Sequence, residues 1–220
     1  MSTRPDGAGS VRAHRETDAH VYVVDDDPEL LESVSWLLDS IGIRAITCDS
    51  ADEFLDRYRG QHPACLILDV RMPRMSGTRL QEILVEELPH VAVIFVSAHG
   101  DIKMSVRVMQ RGAIDFLEKP YEPQHLLDVV QAGIVTARDR WLAHRERAGL
   151  QAKLDTLTPR EREILCLVVE GLPSQNIARR LGMSVKTVDV HRARIKSKTD
   201  ADSINTLVRD VLRFGASIES

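Results

Sequence analysis

The run Ala64-Cys65-Leu66-Ile67-Leu68-Asp69 constrains this chain most: it is apolar throughout, of strand length, ends in one aspartate, and is followed by Val70-Arg71-Met72-Pro73, a turn closed by proline. A strand without polar alternation has both faces covered, which is the position of a central strand in a parallel sheet with helices on either side. Comparable runs end in polar groups. His20-Val21-Tyr22-Val23-Val24 leads into Asp25 and Asp26, Val91-Ala92-Val93-Ile94-Phe95-Val96 into Ser97, and Ala113-Ile114-Asp115-Phe116-Leu117 toward Lys119. Residues 44–48 supply one further strand. If these strands are parallel, Asp25, Asp26, Asp69, Ser97 and Lys119 converge on one edge, and ligands of open α/β sheets bind outside the carboxyl ends of the strands.

Between the strands the apolar period changes to that of a helix. Leu30, Leu31, Val34, Leu37, Leu38 and Ile41 repeat at helical spacing, with similar patterns over 51–59, 77–87 and 102–111. Five βα units in succession predict an α/β fold with a doubly wound five-stranded parallel sheet. The expected organisation is a disordered tail over 1–18, a first domain over 19–137, a helical linker over 138–155 and a second domain over 156–220. The helix that opens at Pro123 has no clear end. Leu127, Ile134, Trp141 and Ala148 recur every seven residues, with Val130 and Ala137 between them, whereas His144 and Gln151 interrupt the pattern. Two readings stand: a long helix that pairs with a copy of itself, or a shorter one ending near Ala137 before a charged linker.

The second domain reads as all-α with four helices. Thr158 can cap the first, Pro159 suits its first turn and Glu161 can reach back as in a capping box. Gly171-Leu172-Pro173 stops it, Ser174 is expected to cap a short second helix, Gly182 stops that, and Ser184 caps a third; Leu207, Val208, Val211 and Leu212 mark the fourth. A short helix, a tight glycine turn and a capped helix make a helix-turn-helix.

Charge separates the halves. Residues 19–137 hold 10 Lys and Arg against 19 Asp and Glu, whereas residues 158–214 hold 11 against 7. The acidic half suits a divalent cation and the basic half a polyanion. No apolar run approaches transmembrane length and the N-terminus lacks the apolar centre of a secretory signal, so a cytoplasmic protein with no membrane partner is expected. Cys48, Cys65 and Cys166 match no zinc spacing and read as buried thiols.

In the third helix of the second domain, Val188, Ile195 and Thr199 point toward the other helices. Lys186, Val190, Ala193 and Ser197 point away, flanked by Asp189 and Arg194. Small side chains let such a face enter a major groove, where Val190 can touch a thymine methyl and Lys186 or Arg194 can reach bases or phosphate. Ser184 and Thr187 can hold phosphates at the helix N-terminus.

Six motifs in order carry a resemblance. Val23-Val24-Asp25-Asp26-Asp27, Leu68-Asp69-Val70-Arg71-Met72-Pro73, Ser97-Ala98-His99-Gly100-Asp101 and Asp115-Phe116-Leu117-Glu118-Lys119-Pro120 resemble those of two-component receiver domains. Leu157-Thr158-Pro159-Arg160-Glu161 and Lys186-Thr187-Val188-Asp189-Val190-His191-Arg192 resemble the LuxR-type helix-turn-helix. Together they resemble response regulators of the NarL/FixJ subfamily. The resemblance implies a flavodoxin-like receiver with strand order 2-1-3-4-5 and Asp69 as phosphoacceptor. Lys119 and Ser97 would contact the phosphoryl oxygens, and Ser97 with Phe116 would form the switch. It implies Mg2+ or Mn2+ held by Asp25 (through water), Asp26, Asp69 and the Arg71 backbone carbonyl, with Asp27 a solvated neighbour.

It further implies a sensor histidine kinase as donor, a homodimer on phosphorylation, and promoter DNA and RNA polymerase as partners, with activation the more frequent outcome. DNA contacts fall to Ser184, Lys186, Thr187, Val190, His191 and Arg194. Dimer contacts fall to Val106, Met109 and Gln110, extended by Leu127, Ile134 and Trp141. The chain would be a self-phosphorylating and self-dephosphorylating switch, not a turnover enzyme. A haloacid-dehalogenase-type phosphatase also uses an aspartate nucleophile at a strand end, but it needs a second aspartate two residues on, where this chain has Arg71.

Overall fold

The computed structural model describes residues 18–98 and 102–218. The tail expected over 1–18 lies outside them but for Asp18, as do His99, Gly100 and Asp101 of the third motif. Five strands form one sheet: β1 (His20–Val24), β2 (Ala45–Cys48), β3 (Ala64–Asp69), β4 (Ala92–Ser97) and β5 (Asp115–Glu118). All pairings are parallel and the order is β2-β1-β3-β4-β5, as the resemblance implied. The helices between them are α1 (Pro28–Asp39), α2 (Ala51–Arg57), α3 (Gly77–Glu87) and α4 (Ile102–Gln110), and β5 is followed by α5 (Pro123–Asp155).

Side chains alternate across each strand, so the sheet has two cores. Tyr22, Val24, Leu66, Leu68, Val93 and Phe95 face one side, against Phe54 of α2, Leu80 and Leu84 of α3 and Val108 of α4. Val21, Val23, Cys65, Ile67, Ile94 and Val96 face the other, against Val34 and Leu38 of α1 and Leu126, Val130 and Ala137 of α5. This two-sided cover is why the strands read as continuous apolar runs. β5 starts two residues later than the apolar run suggests. The amide of Ala113 bonds back to the Val108 carbonyl and closes α4; the Ile114 amide then donates to the Val93 carbonyl, and residue pairing begins with Asp115 beside Ile94.

Helix α5 runs unbroken to Asp155, and the chain divides between Leu142 and Ala143 into two compact units. The seven-residue repeat is not a free seam. Leu127 is 7% exposed and Trp141 3% exposed; Leu127 and the partly buried Ile134 pack into the α1/α5 core, while the Trp141 indole N–H reaches the Gly60 carbonyl at 3.5 Å. Leu127 and Trp141 are corrected from dimer contacts to core of their own domain, because a buried side chain cannot also face a second copy, and the partly buried Ile134 leans on the same core. Leu150 and Leu154 belong to the second unit.

That unit contains α6 (Pro159–Val169), α7 (Ser174–Leu181), α8 (Val185–Thr199) and α9 (Ile204–Phe214) around Ile164, Leu165, Val168, Ile177, Val188, Ile195, Leu207 and Val211. The Thr158/Glu161 capping box is formed, and Gly182 ends α7 at φ 65°, a left-handed turn that glycine adopts without strain. Ser174 is not the cap of α7. Pro173 holds that position without a side-chain bond, because its extended backbone already starts the helix, and Ser174 is the first helical residue. Cys48 and Cys65 are buried, with burial pushing their thiols up to about 11 and about 12. Cys166 is only half-buried and bonds to the Ile218 carbonyl, which corrects its assignment as a buried thiol.

One ion pair ties α8 to α6. The Glu161 side chain is 3% exposed and accepts from Lys198 Nζ at 2.6 Å. Burial opposes its ionisation, but the hydrogen bonds from Lys198 and Thr158 outweigh it and hold the carboxyl below its ordinary value. Breaking a fully buried pair costs roughly 3 to 5 kcal/mol. Lys198 is 36% exposed, so Lys198→Met is expected to cost less, about 2 kcal/mol by denaturant unfolding. A carboxyl with a depressed folded pKa stabilises above its unfolded value and loses that contribution as pH falls through the folded one. The difference between wild type and Lys198→Met should therefore shrink on acidification below the glutamate's ordinary 4.5.

Candidate functional site

Parallel strands in register bring their carboxyl ends level: Val24 lies beside Leu68, Asp69 beside Val96, and Ser97 beside Glu118. The next residues project from that edge. Asp25 is 3% exposed, Asp69 7% and Ser97 1%, while Asp26 is exposed. Lys119, held at its amide by the Ser97 carbonyl (2.8 Å), places Nζ 2.8 Å from Asp25 Oδ2 and 2.9 Å from Asp69 Oδ1. The other oxygens are tied to the backbone. Asp25 Oδ1 accepts from the Asp27 amide at 2.9 Å and Asp69 Oδ2 from the Arg71 amide at 2.6 Å. Four of the sequence-derived residues thus meet at the sheet edge: Asp25, Asp69 and Lys119 in contact, with Ser97 on the neighbouring strand end.

Charge in this pocket is uneven. Burial raises the Asp25 pKa, and Lys119 offsets only part of that. For Lys119 burial acts downward, but Asp25 and Asp69 outweigh it and hold the ammonium above its ordinary value. Two carboxylates, Asp25 and Asp69, thus share one ammonium. Hard oxygen donors with surplus negative charge are the chemistry of Mg2+ sites. Among the described residues no three His, Cys, Asp or Glu side chains are grouped to hold a metal together.

Two roles at the pocket were not read from the sequence. Asp27 is exposed, as expected of a solvated neighbour, but its carboxylate also caps α1 by accepting from the amides of Glu29 and Leu30, which fixes the turn that carries Asp25 and Asp26. Gly77, the first residue of α3, packs so closely on the end of β3 that a Cβ there would lie 2.0 Å from the Asp69 carbonyl oxygen. Its signal was a glycine directly after the capping Ser76 on the turn leaving the aspartate strand. Phe116 is half-buried, and Val106 (48%), Met109 (40%) and Gln110 are exposed on α4.

On α8, Lys186, Thr187, Val190, Ala193, Arg194 and Ser197 are exposed, Val190 at 44%, while Val188, Ile195 and Thr199 are buried. The two faces separate as the helical period requires. Ser184 accepts from the Thr187 amide at 3.1 Å and its hydroxyl bonds to that of Thr187 at 2.8 Å, so both hydroxyls already serve the cap. His191 does not belong to the exposed face. One position past Val190 it turns toward the core, half-buried, with Nδ1 shut away from solvent and lacking a hydrogen-bond partner.

Comparison with known proteins agrees on both halves. Residues 21–131 match the response regulator receiver domain and residues 155–211 the luxR family of bacterial regulatory proteins. The chain is 42% identical to the transcriptional regulatory protein TdiR of Thauera aromatica, covering 88% of this chain and 85% of that protein. It is 34% identical to the transcriptional regulatory protein FixJ of Bradyrhizobium diazoefficiens, covering 90% and 97%. The solved structure of the response regulator StyR superposes with a TM-score of 0.70 at 41% identity, covering 89% of this chain and 99% of that one.

Proposed function

Because the chain belongs to the two-component response regulators, which join a receiver domain to a LuxR-type DNA-binding domain and regulate transcription in response to phosphorylation, we propose that Asp69 is its phosphoacceptor and that the phosphorylated protein pairs and binds promoter DNA as an activator. The observation that carries this reading is the bridge of Lys119 between Asp25 and Asp69 at the sheet edge.

An Asp69 carboxylate oxygen forms the new bond to phosphorus as the bond from phosphorus to the donor histidine of a sensor kinase breaks. Lys119 then turns its charge to the phosphoryl oxygens, and the Ser97 hydroxyl donates to one of them. Asp26, Asp69 and the Arg71 carbonyl, with Asp25 through a water, would hold Mg2+ or Mn2+, which would supply the remaining charge neutralisation when bound. Movement of Ser97 draws Phe116 inward, and with no tyrosine hydroxyl at 116 the outward state has no hydrogen bond to lose. No helix among the described residues is long and apolar enough to cross a membrane; the setting of this switch is the cytoplasm, where the DNA-bound pair meets RNA polymerase.

Pairing uses the exposed α4 surface of Val106, Met109 and Gln110. It raises the effective concentration of the second DNA-binding domain and so increases affinity without a new DNA contact. Val106→Asp should therefore leave labelling of Asp69 intact while the labelled protein stays monomeric in light scattering and gains no DNA affinity. A labelled Val106→Asp protein that dimerises as wild type does would rule out this surface.

A further inference from the structure

Helix α8 carries one carboxylate, Asp189, among Lys186, Arg192, Arg194, Lys196 and Lys198. It is exposed, and among the described residues no Lys, Arg or His nitrogen forms an ion pair with it. Three residues after Lys186 and four before Ala193, it lies beside both on the helix surface, on the N-terminal half that meets base edges in a helix-turn-helix. Asp189 Oδ1 accepts from the Ser174 hydroxyl at 2.9 Å, and the same hydroxyl accepts from Arg192 Nη1 at 3.4 Å. Ser174, the first helical residue of α7 and not its cap, uses its side chain to hold the carboxylate in one orientation.

A carboxylate on this face lowers affinity for any duplex through repulsion by phosphate. It is compensated only where a base presents a donor. In the major groove those donors are the exocyclic amino groups of cytosine and adenine. Adenine sets its N7 acceptor beside the amino group, where it repels a carboxylate; cytosine has only C–H there. We propose that Asp189 reads the amino group of a cytosine in each half-site, with Ser174 as its positioning residue. The proposal rests on the DNA-binding reading of α8 given above.

The test is selection from a pool of randomised duplexes by the full chain after treatment with a small acyl phosphate, comparing wild type with Asp189→Asn and Ser174→Ala. The asparagine carbonyl still accepts from Ser174, so the fold is kept, while its amide now suits the N6/N7 edge of adenine. Wild type should enrich cytosine at one position of the half-site. Asp189→Asn should shift that position toward adenine by roughly tenfold and leave the others unchanged. Ser174→Ala should blunt the cytosine preference without moving it. Identical selected sequences for wild type and Asp189→Asn overturn the proposal, and a lowered melting temperature with unchanged selection would mean that Asp189 only tethers α8 to α7. A wild type that selects no sequence overturns the DNA-binding reading together with it, whereas selection insensitive to residue 189 overturns this proposal alone.

Discussion

Asp69→Asn, incubated with a small acyl phosphate or a phosphohistidine donor, is expected to keep its unlabelled mass while the wild type gains one phosphoryl group. The amide oxygen is a far weaker nucleophile than a carboxylate, so the loss should be complete on the time scale of wild-type labelling. The substitution disturbs little else. The asparagine side chain has the same shape, and its carbonyl oxygen can still accept from Lys119 or from the Arg71 amide, which hold the two oxygens of Asp69 at 2.9 and 2.6 Å. Intact-mass measurement is sufficient. Equal labelling of the variant would move the acceptor to another carboxylate, with Asp26 exposed beside the pocket.

Gly77→Ala should be the most damaging alanine substitution among the described glycines of the receiver. The added carbon meets backbone, the Asp69 carbonyl oxygen at 2.0 Å and its carbon at 3.0 Å, as well as Leu68 Cγ at 3.0 Å. No side-chain rotation relieves a clash with main chain, so α3 or the end of β3 must move. The Gly77 amide is also bonded to the Val70 carbonyl at 3.0 Å, which ties both segments to the turn after Asp69. A cost of about 3 kcal/mol, at the upper end for overpacking, is expected in denaturant unfolding. Labelling should slow in parallel because Asp69 moves with the strand end. A Gly77→Ala protein with wild-type stability and wild-type labelling would contradict the close approach of α3 to β3.

The parts of this molecule that were legible in its sequence share a physical cause. β3 and β4 are buried on both faces, so they could only be written as unbroken apolar runs, and the polar residues ending them necessarily marked the open edge. The helix-turn-helix was legible for a similar reason: Thr158, Ser184 and Gly182 are local solutions to helix ends, independent of tertiary context. What was not legible depends on partners distant in sequence. The repeat at Leu127, Ile134 and Trp141 announces that a helix face is covered but not by what, and the cover is the receiver's own core and loop. Gly77 looks like any helix-starting glycine until the end of β3 is placed against it. Ser174 fits the composition of a cap, yet its hydroxyl is taken by Asp189, fifteen residues on.

Phosphate on Asp69 is proposed to act through one coupling, a change in DNA occupancy by the LuxR-type domain. Footprinting of genomic DNA by wild type and by Asp69→Asn, each with and without acyl phosphate, measures it most directly. Wild type should occupy a defined set of sites strongly only with the donor, in proportion to the labelled fraction, and Asp69→Asn should gain nothing from it. Equal occupancy by labelled and unlabelled wild type, or a donor-dependent gain in Asp69→Asn, would contradict the account.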